Sequence, residues 1–178
     1  MNSTVTQLPR WASASPLMER YYLTEWGMPV TDETGVFERV SLEVFQSGLS
    51  WSTILARREA FREVFHSFEV DRVAAMGESD VERLMGDRRI IRNRRKIEAT
   101  IGNARAALAL REEGKDLAEL LWGYVPETTY APRTHEEIPS RDETSTQMSK
   151  ELKARGFSFV GPTTCFALME AIGIVDTH

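Results

Sequence analysis

The spacing of the apolar residues is the feature that most restricts what this chain can fold into. From Pro9 onward, apolar side chains recur three and four positions apart far more often than two apart. No segment combines strand-like alternation with an enrichment in β-branched residues. The pattern is typical of amphipathic helices, and the sequence therefore predicts an all-α fold.

The same periodicity predicts ten helices, most of them short. Their spans are 16–24, 33–48, 50–56, 58–65, 70–76, 78–86, 92–113, 116–123, 145–155 and 162–172. Helix starts are assigned to polar capping residues, among them Thr31, Ser79 and Ser145. Helix ends are assigned to the glycines Gly48, Gly77, Gly114, Gly156 and Gly173. The segment 125–144, which holds three prolines and is rich in Thr and Glu, is predicted to be a surface loop.

Length and composition favour one domain. With 178 residues, 42% of them hydrophobic, the chain can bury one core of ordinary size. Residues 1–8 are polar and unpatterned, so we expect a disordered leader followed by a single domain over 9–178. No apolar run is long enough for a membrane span or a secretory signal, and the single cysteine, Cys165, suits a reducing compartment. A cytoplasmic protein without membrane contact is expected.

Glu43 is a carboxylate that its helix directs toward the core. At 100° per residue it falls about 20° outside an apolar stripe that includes Val36 and Val40. Leu42 and Phe45 occupy much of the other side, so we expect this helix to be covered nearly all round and central to the domain. Burial of a carboxylate costs free energy unless something pairs with it.

Two interpretations of a buried Glu43 are open. It is either a structural carboxylate bonded to Arg20, Arg39 or a helix N-terminus, or the acid of a ligand pocket. Aromatic residues in short, turn-rich segments favour the pocket, although such residues are often plain core: Tyr21, Tyr22, Trp26 and Trp51. Aromatic faces together with a carboxylate are what an extruded nucleobase requires for stacking and hydrogen bonding.

The segment 88–96, RRIIRNRRK, carries six basic side chains and no acidic one, although the net charge of the chain is −5. It lies between a helix ending near Met85 and a long helix beginning near Arg92, so it should form the hairpin of a helix–hairpin–helix unit. The macrodipole disfavours cations at a helix N-terminus unless an anion compensates them. We therefore predict that phosphate or nucleic acid binds there, through Arg88, Arg89, Arg92, Arg94, Arg95 and Lys96.

Other common site motifs are missing from the sequence. His66, His135 and His178 have no metal-ligand spacing with one another or with Cys165. The chain also lacks a nucleophile elbow, a glycine-rich phosphate loop and a dinucleotide fingerprint. These absences exclude the commonest hydrolase, NTPase and dehydrogenase mechanisms.

A set of short motifs is distributed along most of the chain. They are Tyr21, Glu25-Trp26-Gly27, Leu42-Glu43, Gln46 with Gly48-Leu49-Ser50-Trp51, Ile90-Ile91-Arg92 with Lys96-Ile97, Ile101-Gly102-Asn103-Ala104-Arg105, and Arg155-Gly156-Phe157 with Phe159-Val160-Gly161. In order and spacing this set resembles the 3-methyladenine DNA glycosylase I family. The resemblance extends from about residue 9 to the C-terminus.

The resemblance implies a fold of the helix–hairpin–helix DNA glycosylase superfamily. It also implies a monomeric enzyme that flips 3-methyladenine out of alkylated double-stranded DNA and hydrolyses its N-glycosidic bond, leaving an abasic site. By position, Glu43 would be the catalytic carboxylate that hydrogen-bonds the base. Tyr21 and Trp51 would stack on the base, Trp26 would line the pocket, and the 88–96 hairpin would anchor the DNA. The family lacks the catalytic aspartate of its superfamily, and this chain lacks it too. Such an enzyme can do without that aspartate because an N3-alkylated adenine is cationic and already a good leaving group.

Two sets of positions depart from the family's pattern. The family typically holds a structural zinc ion, but Pro9 and Tyr22 stand at two ligand positions and only His178 remains at the C-terminus. No metal or other cofactor is therefore expected. Met18 stands in place of a pocket aromatic, and Phe45 replaces a polar neighbour of the acid. Both changes bear on substrate choice and catalytic rate rather than on DNA binding.

Two alternatives to this enzyme stay open. One is a member of the same family that recognises damaged or abasic DNA without cleaving it, or with altered specificity. The other is a helical protein in which Glu43 forms a buried ion pair and the hairpin binds a different anion. The presence of Glu43 together with both stacking aromatics favours the enzyme.

Overall fold

The computed structural model describes residues 8–127, 130 and 135–177, so residues 1–7 of the expected leader lie outside the described residues. Over these ranges every regular element is helical, which confirms the all-α fold. None of the helices in this part of the chain is long and apolar enough to cross a membrane. The α-helices are α1 Pro16–Thr24, α2 Glu33–Gln46, α3 Trp51–Ala56, α4 Arg58–Val64, α5 Val70–Ala74, α6 Glu78–Met85, α7 Arg94–Arg111, α8 Leu117–Trp122, α9 Glu143–Ala154 and α10 Pro162–Ile172. Short 3₁₀ turns lie at Ala12–Ala14, His66–Phe68 and His135–Glu137.

Helix α2 is the centre of the domain. Its valines and phenylalanines, with Leu42 between them, are at most 2% exposed, which confirms that the helix is covered nearly all round. Helices α3, α7, α8 and α10 pack around it. Phe45 lies in a group of phenylalanine rings, 4.6 Å from Phe61 and 6.0 Å from Phe65 between centroids. The side chains of α2 therefore have little freedom to move, which fixes any functional group that α2 carries.

Helices α6 and α7 and the turn between them form the predicted helix–hairpin–helix unit. Helix α7 begins two residues later than expected, because Asn93 adopts an extended conformation and its side chain accepts the backbone N–H of Lys96 at 3.1 Å. The apolar face of α7 packs on α5 and α6. The basic hairpin is thus held by a well-capped helix start.

Several predicted helix boundaries are wrong by one to three residues. The caps expected at Thr31, Ser79 and Ser145 are instead Asp32, Gly77 and Asp142. The charged cap Asp142 accepts the backbone N–H of Ser145 at 2.7 Å, and the helix dipole favours a carboxylate at that position. Gly77 does not end a helix: Ala75 closes α5, and the Gly77 N–H donates to the Asp80 carboxylate at the start of α6.

Backbone hydrogen bonds join the segment after α1 to the end of α10. The N–H of Gly27 donates to the carbonyl of Ala171, and that of Val30 to the carbonyl of Ile172, both at 3.0 Å. Gly173 follows with a φ of +88°, and a Cβ at this position would lie 2.9 Å from the Gly27 carbonyl oxygen. Only glycine fits there. The two ends of the domain are consequently held against each other.

Candidate active site and DNA interface

Glu43 lies on the third turn of α2 with 6% of its surface exposed. The pKa of its carboxyl group is raised to about 8, mainly by burial; the negative charge of Glu170 contributes to this rise, and Arg39 opposes it. Within the described ranges the carboxylate receives no hydrogen bond and forms no ion pair. Arg39 is bonded to Glu25 and Glu38 instead. The alternative of a structural ion pair at Glu43 therefore has no support in the geometry.

Glu170, on α10, is a second, half-buried acid that the sequence did not reveal. Its carboxylate accepts the hydroxyl of Thr177 at 2.8 Å, and burial raises its pKa to about 7. It reaches the neighbourhood of Glu43 only because α10 packs on α2. No local pattern near residue 170 signals this contact. The pocket thus combines two carboxyl groups, of which one is left without a hydrogen bond.

A cluster of aromatic rings stands beside Glu43, whose charge acts on Tyr21. The centroids of Tyr21 and Trp51 lie 5.6 Å apart, and Trp26 is 5.5 Å from Trp11. The structure therefore brings together the three aromatic residues predicted to bind a base. It adds Trp11, which also lies 6.4 Å from Tyr21. Sequence reasoning missed Trp11 because it precedes α1 and belongs to no periodic segment; its residue type was the only signal.

Two polar atoms in this cluster are buried and have no hydrogen-bond partner in the described part of the chain. They are the hydroxyl oxygen of Tyr21 and the indole nitrogen Nε1 of Trp51. Burying an unpaired donor costs roughly 1–3 kcal/mol, so native proteins rarely leave one without a reason. Together with the unbonded carboxylate of Glu43, these atoms mark a site that a polar, planar ligand can complete.

An ion-pair network supports Tyr21 from behind. Glu25 binds Arg58 through two parallel hydrogen bonds, one of them 3.1 Å long, and its second cation is Arg39 at 3.6 Å. The guanidinium groups of both arginines lie about 6 Å from the centroid of the Tyr21 ring. Bidentate carboxylate–guanidinium pairs fix orientation as well as distance. The network therefore positions the Tyr21 ring, a role that the sequence did not suggest for these residues.

Met18 and Phe45, the two departures near the acid, occupy different places. Met18 is buried among Tyr21 and Leu55, within the aromatic cluster. Phe45 points into the phenylalanine core and contacts Phe61, so it does not form part of the pocket wall beside the acid. The physical reason is helical geometry: two residues beyond Glu43, the side chain of Phe45 points about 200° away from it.

The cations of the 88–96 hairpin fall into three groups. Arg88, Arg92 and Arg95 are exposed and have no carboxylate partner among the described residues. Arg89 is bonded to Asp87 and Glu63, and Arg94 to Glu78, Glu82 and Glu98. Lys96 does not lie on the exposed surface predicted for it. It is 6% exposed, and its ammonium donates to the backbone carbonyls of Phe45 at 2.9 Å and Ser47 at 2.5 Å.

The residues at the family's N-terminal zinc positions do not fit a metal ion. Pro9 has no ligating side-chain atom. Tyr22 stacks on Trp26 at 5.2 Å, and burial raises the pKa of its hydroxyl group, which keeps it protonated. His178 lies outside the described residues. Over 8–127, 130 and 135–177, no group of three or more His, Cys, Asp or Glu could hold a metal ion.

A basic hairpin between two helices, next to a pocket of aromatic rings and a buried acid, defines the class of helix–hairpin–helix DNA glycosylases. Comparison with known proteins narrows this class. The family model described as methyladenine glycosylase matches residues 11–178. The chain therefore belongs to the methyladenine glycosylase family.

Individual relatives agree with this assignment. DNA-3-methyladenine glycosylase 1 of Escherichia coli (strain K12) is 47% identical over 171 residues, which cover 94% of this chain and 91% of the relative. A crystal structure of 3-methyladenine DNA glycosylase I superposes with a TM-score of 0.92 at 44% identity, covering 97% of this chain and 96% of that one. A Staphylococcus aureus enzyme, solved to explain 3-methyladenine recognition, gives a TM-score of 0.89 at 36% identity, covering 93% and 89% of the two chains.

Proposed function

We propose that this protein is a DNA-3-methyladenine glycosylase. It extrudes an N3-alkylated adenine from double-stranded DNA and hydrolyses its N-glycosidic bond, leaving an abasic site. The observation that carries this proposal is the buried, unbonded carboxylate of Glu43 beside the unpaired polar atoms of Tyr21 and Trp51. A flat, cationic base with amine donors supplies what all three groups lack: a positive charge, a stacking surface and hydrogen-bond partners.

The pocket favours a cationic base over a neutral one by electrostatics. A cation next to Glu43 lowers the pKa of this carboxyl group from about 8, so that binding of the base is coupled to loss of the proton. The carboxylate then accepts a hydrogen bond from the base. The rings of Tyr21 and Trp51 stack on the base, and each desolvated contact of an aromatic ring with a cationic base contributes about 0.5–2 kcal/mol to the binding free energy.

Bond cleavage needs little further help from the protein. When the bond between C1′ of the sugar and the base nitrogen breaks, its electron pair moves to the base and cancels the positive charge. Water then adds to C1′ and gives its proton to solvent. Glu43, Tyr21 and Trp51 hold the base away from the sugar in a fixed orientation, which explains how the enzyme works without an aspartate that activates water.

We also propose that the hairpin holds the DNA backbone through its exposed arginines. Arg88, Arg92 and Arg95 carry uncompensated charge, whereas Arg89 and Arg94 can bind phosphate only by giving up carboxylate partners. Lys96 acts from inside, by fixing α7 to the end of α2. We propose further that the protein works without a metal ion, as a monomer in the cytoplasm; gel filtration and metal analysis test the first two points.

The deciding experiment measures base release. Purified protein is incubated with methylated duplex DNA, and the released bases are separated and identified by mass spectrometry. Release of 3-methyladenine that depends on Glu43, but not on the exposed Glu112, supports the proposal. Binding of the duplex without release of any base would identify a non-catalytic member of the family and contradict it.

A further inference from the structure

A groove of about 580 Å³ lies beside the hairpin, between α7 and the segment that follows α9. Its lining includes Arg95, Ala99 and Gly102 from α7, and Lys153, Ser158 and Phe159 opposite them. None of these residues belongs to the base pocket. We propose that this groove binds the sugar–phosphate backbone of the DNA duplex outside the damaged nucleotide, with a phosphate between Arg95 and Lys153 and a deoxyribose against Phe159. This proposal rests on the proposed function, because it assumes a DNA substrate.

Phe159 is held in a strained conformation at the edge of the groove. Its φ is +60°, in the left-handed region that bulky residues rarely adopt. The buried side chain of Asn103 fixes the preceding residue: it accepts the N–H of Ser158 at 2.8 Å and donates to the Ser158 carbonyl at 3.2 Å. Phe157 and Val160 on either side are buried, while Phe159 remains partly exposed. The strain therefore turns one aromatic ring out of the core and into the groove.

The two cations of the groove are available to a ligand. Arg95 and Lys153 are exposed, and neither forms an ion pair with a described residue. Their neighbours in sequence differ: Arg94 and Arg155 are each bound to two or more glutamates. The Arg95 guanidinium lies 5.9 Å from the centroid of Phe159, so charge and apolar surface stand side by side. A phosphate next to a deoxyribose has the complementary arrangement.

One acid, Glu98, also lines the groove and would repel a phosphate if it were uncompensated. Arg94 lies one turn earlier on α7, with its Nη1 3.7 Å from the Glu98 carboxylate. Arg94 is shared with Glu78 and Glu82, so it offsets the negative charge of Glu98 only in part. Among the groove's own lining residues, the two cations Arg95 and Lys153 outweigh the single acid Glu98, and the groove keeps a net positive charge.

The floor of the groove is open backbone. A Cβ built at Gly102 meets no atom within 4 Å, so a ligand can approach α7 closely at this point. The same helix carries Lys96, whose ammonium bonds to the end of α2 and so fixes the groove relative to Glu43. A DNA strand held by the hairpin at Arg92 can therefore continue along α7 while its damaged base enters the pocket.

Filling the groove tests the proposal without disturbing the core. Gly102→Leu adds a side chain in open space, and loss of a glycine from a helix interior favours the helix. We expect its affinity for a duplex with a non-hydrolysable abasic-site analogue to fall at least about fivefold. Binding of free 3-methyladenine, followed by tryptophan fluorescence, should stay at the wild-type value. Ala109→Leu, which adds the same apolar side chain on an exposed face of α7, is the matched control and should change neither affinity.

Removing the charges gives an independent measurement. The affinity for duplex DNA falls as the salt concentration rises, and each phosphate contact makes this dependence steeper. In the double variant Arg95→Ala, Lys153→Ala, the slope of the logarithm of the association constant against the logarithm of the salt concentration should become shallower by about two, close to one for each lost phosphate contact. Lys150→Ala, on an exposed position of the same helix as Lys153, should leave the slope unchanged. Wild-type duplex affinity in Gly102→Leu, or an unchanged slope in the double variant, would overturn the proposal. Because these assays involve no cleavage, failure of base release in the wild-type protein would count against the proposed function alone.

Discussion

Replacing Glu43 by Gln tests the electrostatic account of the pocket most directly. The substitution keeps the shape of the side chain and removes its negative charge. Glu43 is 6% exposed, and its carboxylate receives no hydrogen bond from a described residue. A pKa raised from the ordinary 4.5 to about 8 means that ionising Glu43 in the folded protein costs about 5 kcal/mol more than in the unfolded chain. The natural residue therefore destabilises the fold at alkaline pH, as expected of a group selected for binding.

The sign of the effect fixes its pH dependence. Between pH 4.5 and pH 8 the folded state keeps a proton on Glu43 that the unfolded chain has released, so stability falls as pH rises through this window. Below pH 4 both states are protonated and the penalty vanishes. The free energy of unfolding is measured with urea for Glu43→Gln and for the wild type. We expect the variant's advantage over the wild type to increase by about 4 kcal/mol between pH 5 and pH 9. For the exposed control Glu112→Gln, the difference in free energy of unfolding from the wild type should stay constant with pH.

The same variant should lose activity while it gains stability. We expect single-turnover release of 3-methyladenine from methylated duplex DNA to fall roughly ten- to a thousandfold, about 1.4–4 kcal/mol of transition-state stabilisation. Parallel stability curves for Glu43→Gln and the wild type at all pH values would refute the burial argument. Release at the wild-type rate would refute the role of the charge.

Four further predictions address other parts of the molecule. Arg58→Met removes the bidentate support of Tyr21 and should weaken binding of free 3-methyladenine roughly three- to tenfold, with the salt dependence of duplex binding unchanged; equal affinity would show that Tyr21 needs no such support. Substituting Arg88 and Arg92 by Ala should lower the salt slope for undamaged duplexes by about one for each lost phosphate contact, and a constant slope would place the DNA surface elsewhere. A chelator should leave the melting temperature unchanged, a result that stoichiometric zinc and chelator-induced unfolding would contradict. Release of hypoxanthine, an uncharged lesion, should be slow compared with release of 3-methyladenine, and a rate equal to that of 3-methyladenine would show that another group supplies acid–base catalysis. A larger 3-alkyladenine should still be released, because the flexible side chain of Met18 adapts its shape.

The helices could be predicted from the sequence because their determinants are local. Periodicity located every α-helix, and the glycines with positive φ, such as Gly48 and Gly156, marked ends correctly. The capping residues were harder to predict, since several polar residues in a row compete at each start. Asp32 and Asp142 cap their helices because a carboxylate both accepts an N–H and is favoured by the dipole, while nearby hydroxyl groups were the ones predicted.

The site could be predicted only where a single element carries its signal. Glu43 stood out because the periodicity of α2 directs its charged side chain toward the apolar core. Glu170 and Trp11 did not, since they reach the pocket through packing of distant segments. Lys96 was misassigned for the same reason: a run of basic residues indicates a surface, and nothing local shows that one ammonium group turns inward to the carbonyls of Phe45 and Ser47.

The hydrogen bonds that join the segment after α1 to the end of α10 have a consequence for how the molecule is made. Gly27 and Val30 are synthesised long before Ala171 and Ile172, whose carbonyls anchor them. Until α10 is made, these two N–H groups lack their partners and one side of α2 is uncovered, and incomplete packing of this kind invites misfolding or chaperone binding. A chain that stalls before α10 would therefore lack both this anchor and the carboxyl group of Glu170 that acts on Glu43.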